Sequence, residues 1–420
     1  MIDPRRTVTE LKELRELTGD AHGAQRVAFT EKWRTAREWL EAKLAAIPVE
    51  VHRDEAGNLW GTLRGESEQE IVIGGHIDSV PNGGWLDGCL NTMAGVEILR
   101  RLHAEYDGRP PLTVRVVDWA DEEGARFGKS LFGSSACSGN LDMDEARGLV
   151  DAEGVRLVDA LAENGIDFDR VKECRRELVK AAVYLELHIE QGPVLLDLDL
   201  PLGAVLGTFG VERHAMRFGG QAAHSGSTPM NRRKDALLAA ARMSPEIYQI
   251  AERSGGGVCT IGSCKTKPGI VTSVVAECEI TLDQRHLDKS TLDRMLTEAR
   301  EASQRFAEDA GASVEWSRLW QIDPILFDSD LIDLCDEAIR EICGTSHRLP
   351  SGPLHDAAEV ARAGVPTVMM FVQSLHGISH NKIEDTREAH LEQAVSALDR
   401  LTEKVICKLA GSGGSDSADA

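Results

Sequence analysis

Four apolar segments of the sequence each end in, or are followed by, a histidine or an acidic pair. This recurring pattern constrains the fold more strongly than any other feature. The segments are Ile71–Ile73 before His76, Leu112–Ala120 before Glu122 and Glu123, Val183–His188 ending in its own histidine, and Thr367–Val372 before His380. They alternate with segments of helical spacing such as Met93–His103. This alternation predicts an α/β domain with a mixed, mostly parallel sheet and helices on both faces. Ligands of such sheets bind outside the carboxyl ends of the strands, where these polar residues fall.

The sequence pattern changes after about residue 210. Six segments there predict the order strand, helix, strand, strand, helix, strand: Arg213–Gly219, Asp235–Ser254, Gly257–Cys264, Val274–Arg285, Ser290–Ala310 and Val314–Trp320. This order fits a small α+β domain inserted into the α/β domain. We therefore expect a catalytic domain in two parts, residues 1–210 and 323–410, an inserted domain at residues 211–322, and a disordered low-complexity tail at residues 411–420.

Composition argues against nucleic acid and membrane partners. Forty-seven basic and 69 acidic residues give a net charge of −22, which repels phosphates. No stretch approaches the ~18 apolar residues of a membrane span, and residues 1–15 lack the apolar core of a secretion signal. The nine cysteines form no disulfide framework. We therefore expect a cytoplasmic protein with reduced thiols.

His76 and Asp78 form the first candidate ligand pair. Side chains two residues apart on a strand share a face, so the Asp78 carboxylate can accept the imidazole N–H and leave the other ring nitrogen for a metal. An isolated His–Asp hydrogen bond near the surface would explain this common pattern as well. Asp87 follows in a glycine-rich loop, where the backbone can turn sharply and approach a ligand.

Glu122 and Glu123 form the second candidate cluster. Two adjacent carboxylates after an apolar strand repel each other unless a cation neutralises them. Taken alone, the pair is more simply explained as a solvated acidic loop. Together with His188 and His380 at two further strand ends, however, the set offers imidazole and carboxylate without thiolate, which suits Zn, Mn, Co or Ni.

The ordered motifs resemble the M20 metallopeptidase clan, and within it the branch of N-carbamoyl-L-amino acid hydrolases and allantoate amidohydrolases. The segments that carry the resemblance span residues 74–386 and are GGHIDSVPNGGWLDG, DEEGARFG, LELHIEQGP, GGQAAHSGSTPMNRRKDA, LDQRH, HDA and GISHNKIEDT. Each motif is weak alone, whereas their combination in this order is specific. The resemblance implies hydrolysis of a carbon–nitrogen bond in a small ureido or amide substrate that bears a carboxylate.

The resemblance also implies a site for two divalent metal ions. His76, Asp87 and His188 match the ligands of one ion. Asp87, Glu123 and His380 match those of the other, so that Asp87 would bridge the two ions.

Further positions match residues that act on the water and the substrate. Glu122 matches the general base, which takes a proton from the attacking water and passes it to the leaving nitrogen. Asp78 matches the partner of His76. Gln191 would contact the urea or amide group, and Arg285 would clamp the substrate carboxylate.

The inserted domain is implied to act as a lid and to form a homodimer or a higher homo-oligomer. His224 matches a histidine that enters the active site of the second copy and stabilises the developing oxyanion. Arg233 and Asp235, in the same motif, are expected to form an ion pair at the start of a helix.

The sequence departs from the family pattern around the expected substrate. Thr272 stands where the family has Asn, Asn91 where it has Gly and Lys382 where it has Pro, while Pro353 and Leu354 replace two small residues. Thr272 lacks the two donors and the acceptor of an amide, and Leu354 adds bulk. These changes favour a larger or flatter apolar substrate portion.

The departures leave a second enzyme hypothesis open. The same fold and metals could act on an aromatic amine that carries a carboxylate, or on an aryl amide. A non-catalytic binding protein with this fold would need to have lost a ligand or the base, whereas all six expected residues are present.

Overall fold

The computed structural model describes residues 1–412. These residues form two compact units, one comprising Met1–Leu206 with the chain from Phe327 onward, and the other Gly207–Leu326. Each unit is described separately below. Within the described residues, no helix combines the length and the apolar character needed to cross a membrane.

The strands, in chain order, are β1 Gly19–Asp20, β2 Gly23–Ala24, β3 Glu50–Arg53, β4 Leu59–Leu63, β5 Ser67–His76, β6 Leu112–Trp119, β7 Ala181–Ile189, β8 Leu202–Thr208, β9 Gly210–Gly219, β10 Val258–Lys267, β11 Glu277–His286, β12 Ser313–Ile322, β13 Ile325–Leu326, β14 Arg348–Ser351 and β15 Thr367–Val372. The α-helices are α1 Pro4–Thr18, α2 Glu31–Ala45, α3 Cys89–Glu105, α4 Phe132–Ser138, α5 Met143–Arg147, α6 Leu157–Glu163, α7 Val194–Asp197, α8 Ala236–Ser254, α9 Lys289–Asp309, α10 Ser329–Cys343, α11 Asp356–Arg362 and α12 Glu388–Ser412. Within residues 1–412, 3-10 helices cover Phe168–Leu178, Met230–Arg232 and Leu375–Gly377.

The first unit is built on a mixed sheet with the order β8, β15, β7, β5, β6, β4, β3, and β14 pairs with β8. β15, β7, β5 and β6 run parallel to one another, whereas β8 and β4 join them antiparallel. Every residue of β6 and β15 is buried. Strands covered on both faces read as continuous apolar runs, which explains why their positions were visible in the sequence.

The second unit is built on a four-stranded antiparallel sheet with the order β10, β11, β9, β12. Helices α8 and α9 cover it around a core that includes Met216, Phe218, Met243 and Phe306. The element order β9, α8, β10, β11, α9, β12 is the predicted one. The expected boundaries, residues 211 and 322, fall inside the observed unit.

The observed α/β class and the second, α+β unit confirm the predicted fold class. The role of the second unit as a lid and dimerisation domain stays a prediction. Of the tail expected at residues 411–420, Gly411 and Ser412 are the end of α12, and the rest lies outside the described residues.

Candidate metal centre

The carboxyl ends of four parallel strands meet at one edge of the first unit's sheet, and the predicted metal ligands lie there. His76 is the last residue of β5, and His188 is the second-last of β7. Glu122 and Glu123 follow β6, and His380 follows β15. Because these strands are neighbours in the sheet, side chains from distant parts of the sequence converge at this edge.

Asp87 stands at the centre of this cluster. Its Oδ1 lies 3.0 Å from Nε2 of His188 and 3.7 Å from Nε2 of His76. Its Oδ2 lies 3.4 Å from Nε2 of His380, which is itself 3.3 Å from Oε2 of Glu123. The two oxygens of one carboxylate thus face two separate groups of potential metal ligands, His76 with His188 and Glu123 with His380.

The backbone fixes the tautomer of both buried histidines. Nδ1 of His188 lies 2.8 Å from the carbonyl oxygen of Ile189, and Nδ1 of His76 lies 3.2 Å from that of Asp78. A carbonyl oxygen only accepts, so the Nδ1 atoms carry the protons and the Nε2 atoms are turned toward Asp87. Nε2 of His76 is buried and has no hydrogen bond within the described residues.

Asp78 contacts the His76 ring through its carboxylate and, more closely, through its backbone oxygen. The Asp78 carboxylate is 3.6 Å from the His76 ring, farther than the backbone oxygen. The carboxylate also accepts the backbone N–H groups of Glu122 and Glu123, each at 3.2 Å. Asp78 therefore anchors the acidic pair, and the turn of the chain after β5 explains why strand spacing did not indicate this.

The acidic side chains of the cluster crowd one another. Burial raises the pKa of Glu122 well above 4.5 against the opposing effect of His76, and burial together with Asp87 does the same to the pKa of Glu123. Burial disfavours the charged form of His76, yet Glu122 holds its pKa well above 6.5. Buried carboxylates that face imidazole Nε2 atoms fit a divalent cation, which neutralises the former and accepts the lone pairs of the latter.

Glu122 lies beside the first ligand group. Its Oε2 is 3.6 Å from Nε2 of His76, and its side chain is buried. It belongs to neither of the two groups that contain Asp87. A carboxylate that is close to a cation site but outside its ligand set can carry a proton.

Strained backbone accompanies these side chains. Asp121, Gln191 and His380 have φ values of 56°, 59° and 53°, a left-handed region that costs non-glycine residues of the order of 1–3 kcal/mol each. Each of them lies in or beside a loop that follows a strand of the parallel sheet. Strain of this kind concentrates at functional sites.

A hydrogen-bonded network that sequence reasoning missed surrounds Asp87. Ser379 Oγ lies 3.0 Å from Oδ2 of Asp87 and 2.7 Å from Oε2 of Glu384. Oε1 of Glu384 accepts the backbone N–H groups of Leu86 and Asp87, each at 3.1 Å. Gln191, predicted to contact substrate, donates to Oδ2 of Asp87 at 3.0 Å. The only available signal was the presence of Ser379 and Glu384 in the motif GISHNKIEDT.

A second set of buried groups was also missed. The ring of His355 is 4.4 Å, centroid to centroid, from that of His188. Asp356 is buried next in the chain and contributes to the raised pKa of Glu122. Glu186 accepts a hydrogen bond from the backbone N–H of Ala357 at 2.9 Å. The HDA motif was recognised, but its spacing alone gave these residues no role.

The first unit contains Asn91, Leu354 and Lys382, three of the positions at which the sequence departs from the family pattern. Leu354 is half-buried directly before His355. Asn91 is fully buried in α3, and neither its amide nitrogen nor its amide oxygen has a hydrogen bond within the described residues. Lys382 is exposed, with Nζ 3.5 Å from the carbonyl oxygen of Ala21.

The second unit contains His224, Thr272 and Arg285. His224 is exposed, and its Nδ1 accepts the backbone N–H groups of Gly226 and Ser227 at 3.1 and 3.2 Å, which leaves the proton on Nε2. The segment around His224 pairs with the Thr272 segment through an isolated bridge between His224 and Ser273. The roles of these residues toward substrate stay predictions.

Arg233 and Asp235, in the same unit, do not form the ion pair predicted for them. The Arg233 guanidinium donates to the carbonyl oxygens of Ser225 and Thr228 at 2.6 and 3.1 Å. Asp235 accepts backbone N–H groups at the start of α8. The predicted ion pair between them is wrong, because each side chain binds backbone groups, although the predicted helix start is confirmed. Arg285 Nε donates to Asp283 at 2.8 Å.

The sequence pattern of peptidase family M20/M25/M40 matches residues 72–404. The chain is 33% identical to an N-carbamoyl-L-amino acid amidohydrolase of Geobacillus stearothermophilus over 389 residues, which are 91% of this chain and 94% of that protein. It is 32% identical to an allantoate amidohydrolase of Escherichia coli K12, with 90% and 92% of the two chains covered.

Solved structures are similar over nearly the whole chain. A hydantoinase/carbamoylase family amidase from Burkholderia ambifaria matches with a TM-score of 0.86 and 30% identity, covering 96% of this chain and 98% of that one. A second, from Burkholderia phymatum, matches with a TM-score of 0.87 and 30% identity, covering 97% and 99%.

Proposed function

This chain belongs to peptidase family M20/M25/M40 and is a hydrolase of carbon–nitrogen bonds, and from that premise we propose a binuclear metal amidohydrolase that acts on a carboxylate-bearing ureido or amide substrate. One observation carries the proposal. One oxygen of Asp87 faces the imidazoles of His76 and His188, and the other faces the group formed by Glu123 and His380, beside buried acidic side chains.

The residues present fit two divalent cations. His76 and His188 would hold one ion with Asp87, and Glu123 and His380 would hold the other with the same carboxylate. The ligand types suit Zn, Mn, Co or Ni. When bound, such a pair lowers the pKa of water toward neutrality and polarises the carbonyl oxygen of the substrate.

Glu122 supplies the proton transfers in this proposal. Its Oε2 accepts a proton from the attacking water and later delivers it to the leaving nitrogen. Its buried position and its distance of 3.6 Å from Nε2 of His76 support this role. Asp78 holds Glu122 in place through the backbone N–H of Glu122.

The remaining predicted residues would bind substrate. Gln191 would contact the ureido or amide group, and Arg285 and Thr272 would bind its carboxylate end. His224 would donate from Nε2 to the developing oxyanion, which the acceptor role of its Nδ1 supports. We propose that a homodimer or higher homo-oligomer brings His224 to the active site of a second copy.

The names of the relatives define the first substrates to test. One relative is named for N-carbamoyl-L-amino acids and another for allantoate. The second candidate, an aryl amide or an aromatic amine with a carboxylate, is favoured by the half-buried Leu354 beside His355. Steady-state kcat/KM for all four substrate types, each with Zn, Mn, Co and Ni, separates these alternatives.

A chelation experiment tests the metal requirement independently of the substrate. Activity should disappear after treatment with a chelator and return when one of the four metals is added back. Activity that persists in chelated, metal-free protein would refute the proposed function. If small N-carbamoyl-amino acids proved the best substrates by far, the aryl alternative would be excluded.

A further inference from the structure

Cys264 and Cys278 lie on neighbouring strands of the second unit, with their sulfur atoms 3.6 Å apart. In the antiparallel pairing of β10 with β11, Cys264 lies opposite Ile280 and Cys278 opposite Thr266. The two cysteines are therefore diagonal neighbours on one face of the sheet. Since an S–S bond is about 2.0 Å long, the sulfur atoms need to approach by only about 1.6 Å more to form one.

The two thiols differ in their access to solvent. Cys264 is exposed on β10, which is an edge strand, whereas Cys278 is fully buried, with 0% of its surface accessible. Burial and the neighbouring Cys264 sulfur raise the pKa of Cys278 to about 12. A dissolved oxidant therefore reaches the Cys264 thiol first, while the Cys278 thiol stays protonated until Cys264 has been oxidised beside it.

We propose that Cys264 and Cys278 are an oxidation-sensitive dithiol that a peroxide converts to a disulfide. The Cys264 sulfur attacks one oxygen of hydrogen peroxide, the O–O bond breaks, and Cys264 sulfenic acid and one water result. The Cys278 sulfur then displaces the hydroxyl group, which leaves with the Cys278 proton as a second water. Two thiols and one peroxide thus give one disulfide and two waters, and the two electrons lost by sulfur reduce the peroxide.

The disulfide would link β10 to β11 on either side of the connection between them, residues 268–276. This connection is bound to a neighbouring segment, because Ser225 N donates to Thr272 O and Val274 N donates to Ala223 O, both at 2.9 Å. Its tip is open to solvent, with Ile270 58% and Val271 99% exposed. A disulfide between these two strands should restrict the motion of the connection, so that a protease cleaves it more slowly. This consequence does not depend on which substrate the enzyme hydrolyses.

Peptide mapping of the full-length protein tests the proposal. The reduced protein is treated with hydrogen peroxide, its remaining thiols are alkylated, and it is digested with trypsin. Cleavage after Arg253, Lys265 and Arg285 places the two cysteines on separate peptides, residues 254–265 and 266–285. We expect these two peptides to be joined by a disulfide, so that their mass is two hydrogen atoms below the sum of the separate peptides. Reduction should separate them. Because Cys259 shares the first peptide, fragment ions must assign the bond to Cys264.

Two variants serve as test and control. Cys264→Ser should abolish the joined peptide, while Cys407→Ser, which removes another exposed thiol, should leave it unchanged. Thermolysin cleavage at the exposed Ile270 and Val271 should slow several-fold in the oxidised wild type, recover on reduction, and not respond to peroxide in Cys264→Ser. Recovery of Cys264 only as sulfinic or sulfonic acid, without a joined peptide, would overturn the proposal. A joined peptide with unchanged thermolysin cleavage would overturn the proposed effect on the connection.

Discussion

The Glu384 carboxylate occupies the space in which a side chain at Gly84 would lie. A Cβ atom added to Gly84 would be 1.9 Å from Oε1 of Glu384, far inside van der Waals contact. The same oxygen accepts the backbone N–H groups of Leu86 and Asp87. Glu384 thus ties the glycine-rich loop to the segment after His380, and it fixes the direction of the proposed bridging carboxylate.

Glu384→Ala should therefore weaken metal binding without removing a ligand. Loss of a group that orients a ligand typically lowers metal affinity or activity by about 10–100-fold. We expect a loss in this range in competition titrations with a chromophoric chelator. Gly84→Ala should behave similarly because it displaces the same carboxylate. Glu388→Gln, a change at an exposed carboxylate that pairs with Lys12, is the matched control. Unchanged metal affinity in Glu384→Ala would contradict a positioning role.

Glu122→Gln should separate proton transfer from metal binding. The amide has nearly the same shape but cannot accept the proton, so kcat should fall by about 10²–10⁴-fold. Metal content measured by elemental analysis should equal that of the wild type, because Glu122 lies outside both ligand groups. Glu123→Gln is the matched comparison and should lose metal. Turnover retained in Glu122→Gln would exclude it as the base.

Much of this architecture could be predicted from the sequence. Parallel strands such as β6 and β15 are buried along their whole length, so their apolar runs stand out. β8 was missed because Gly203 and Gly207 interrupt its apolar pattern. The helices α4, α5 and α6 were missed because, at 5 to 7 residues, they are too short for helical periodicity to be recognised. The 3-10 helix Phe168–Leu178 was missed because it has three residues per turn and not the 3.6 of an α-helix.

The site was predictable at the level of residue types and strand ends, but its supporting contacts were not. Glu384 contacts the amide of Leu86 across 298 positions of sequence, and no local pattern encodes such a contact. Asp78 was predicted to lie beside His76, and its carboxylate is 3.6 Å from Nδ1 of His76. Its hydrogen bonds to the backbone of Glu122 and Glu123 were not predicted, because strand geometry no longer applies after His76. Tertiary contacts, rather than spacing, decide these details.

Glu177 should make the free energy of unfolding depend on pH in acid. Burial opposes its ionisation, but hydrogen bonds from His52 and Arg115 lower its pKa from 4.5 to about 2. Between these values the folded state binds fewer protons than the unfolded state, so stability rises with pH across this window and is lost as pH falls through it. At ~1.4 kcal/mol per pKa unit, the shift corresponds to about 3 kcal/mol above the window.

Urea unfolding at pH 7 and at pH 3 measures this contribution. Glu177→Gln should lower the free energy of unfolding at pH 7 by about 3 kcal/mol, and by less at pH 3. Glu173→Gln changes an exposed pair partner of Arg170 on the same 3-10 helix and should leave the free energy of unfolding nearly unchanged at either pH, because exposed ion pairs contribute little. An equal loss for Glu177→Gln at both pH values would show that packing, rather than ionisation, is responsible.

Asp87→Ala should reduce the occupancy of both proposed metal positions, because its two oxygens face both ligand groups. His380→Ala removes a ligand from the second group only, and His76→Ala one from the first only. Elemental analysis of protein dialysed against limiting metal should therefore give nearly complete loss for Asp87→Ala and the loss of one ion for each histidine variant. Circular dichroism checks that each variant is folded. If Asp87→Ala kept one tightly bound ion, the carboxylate would belong to a single metal, and the bridging arrangement would be wrong.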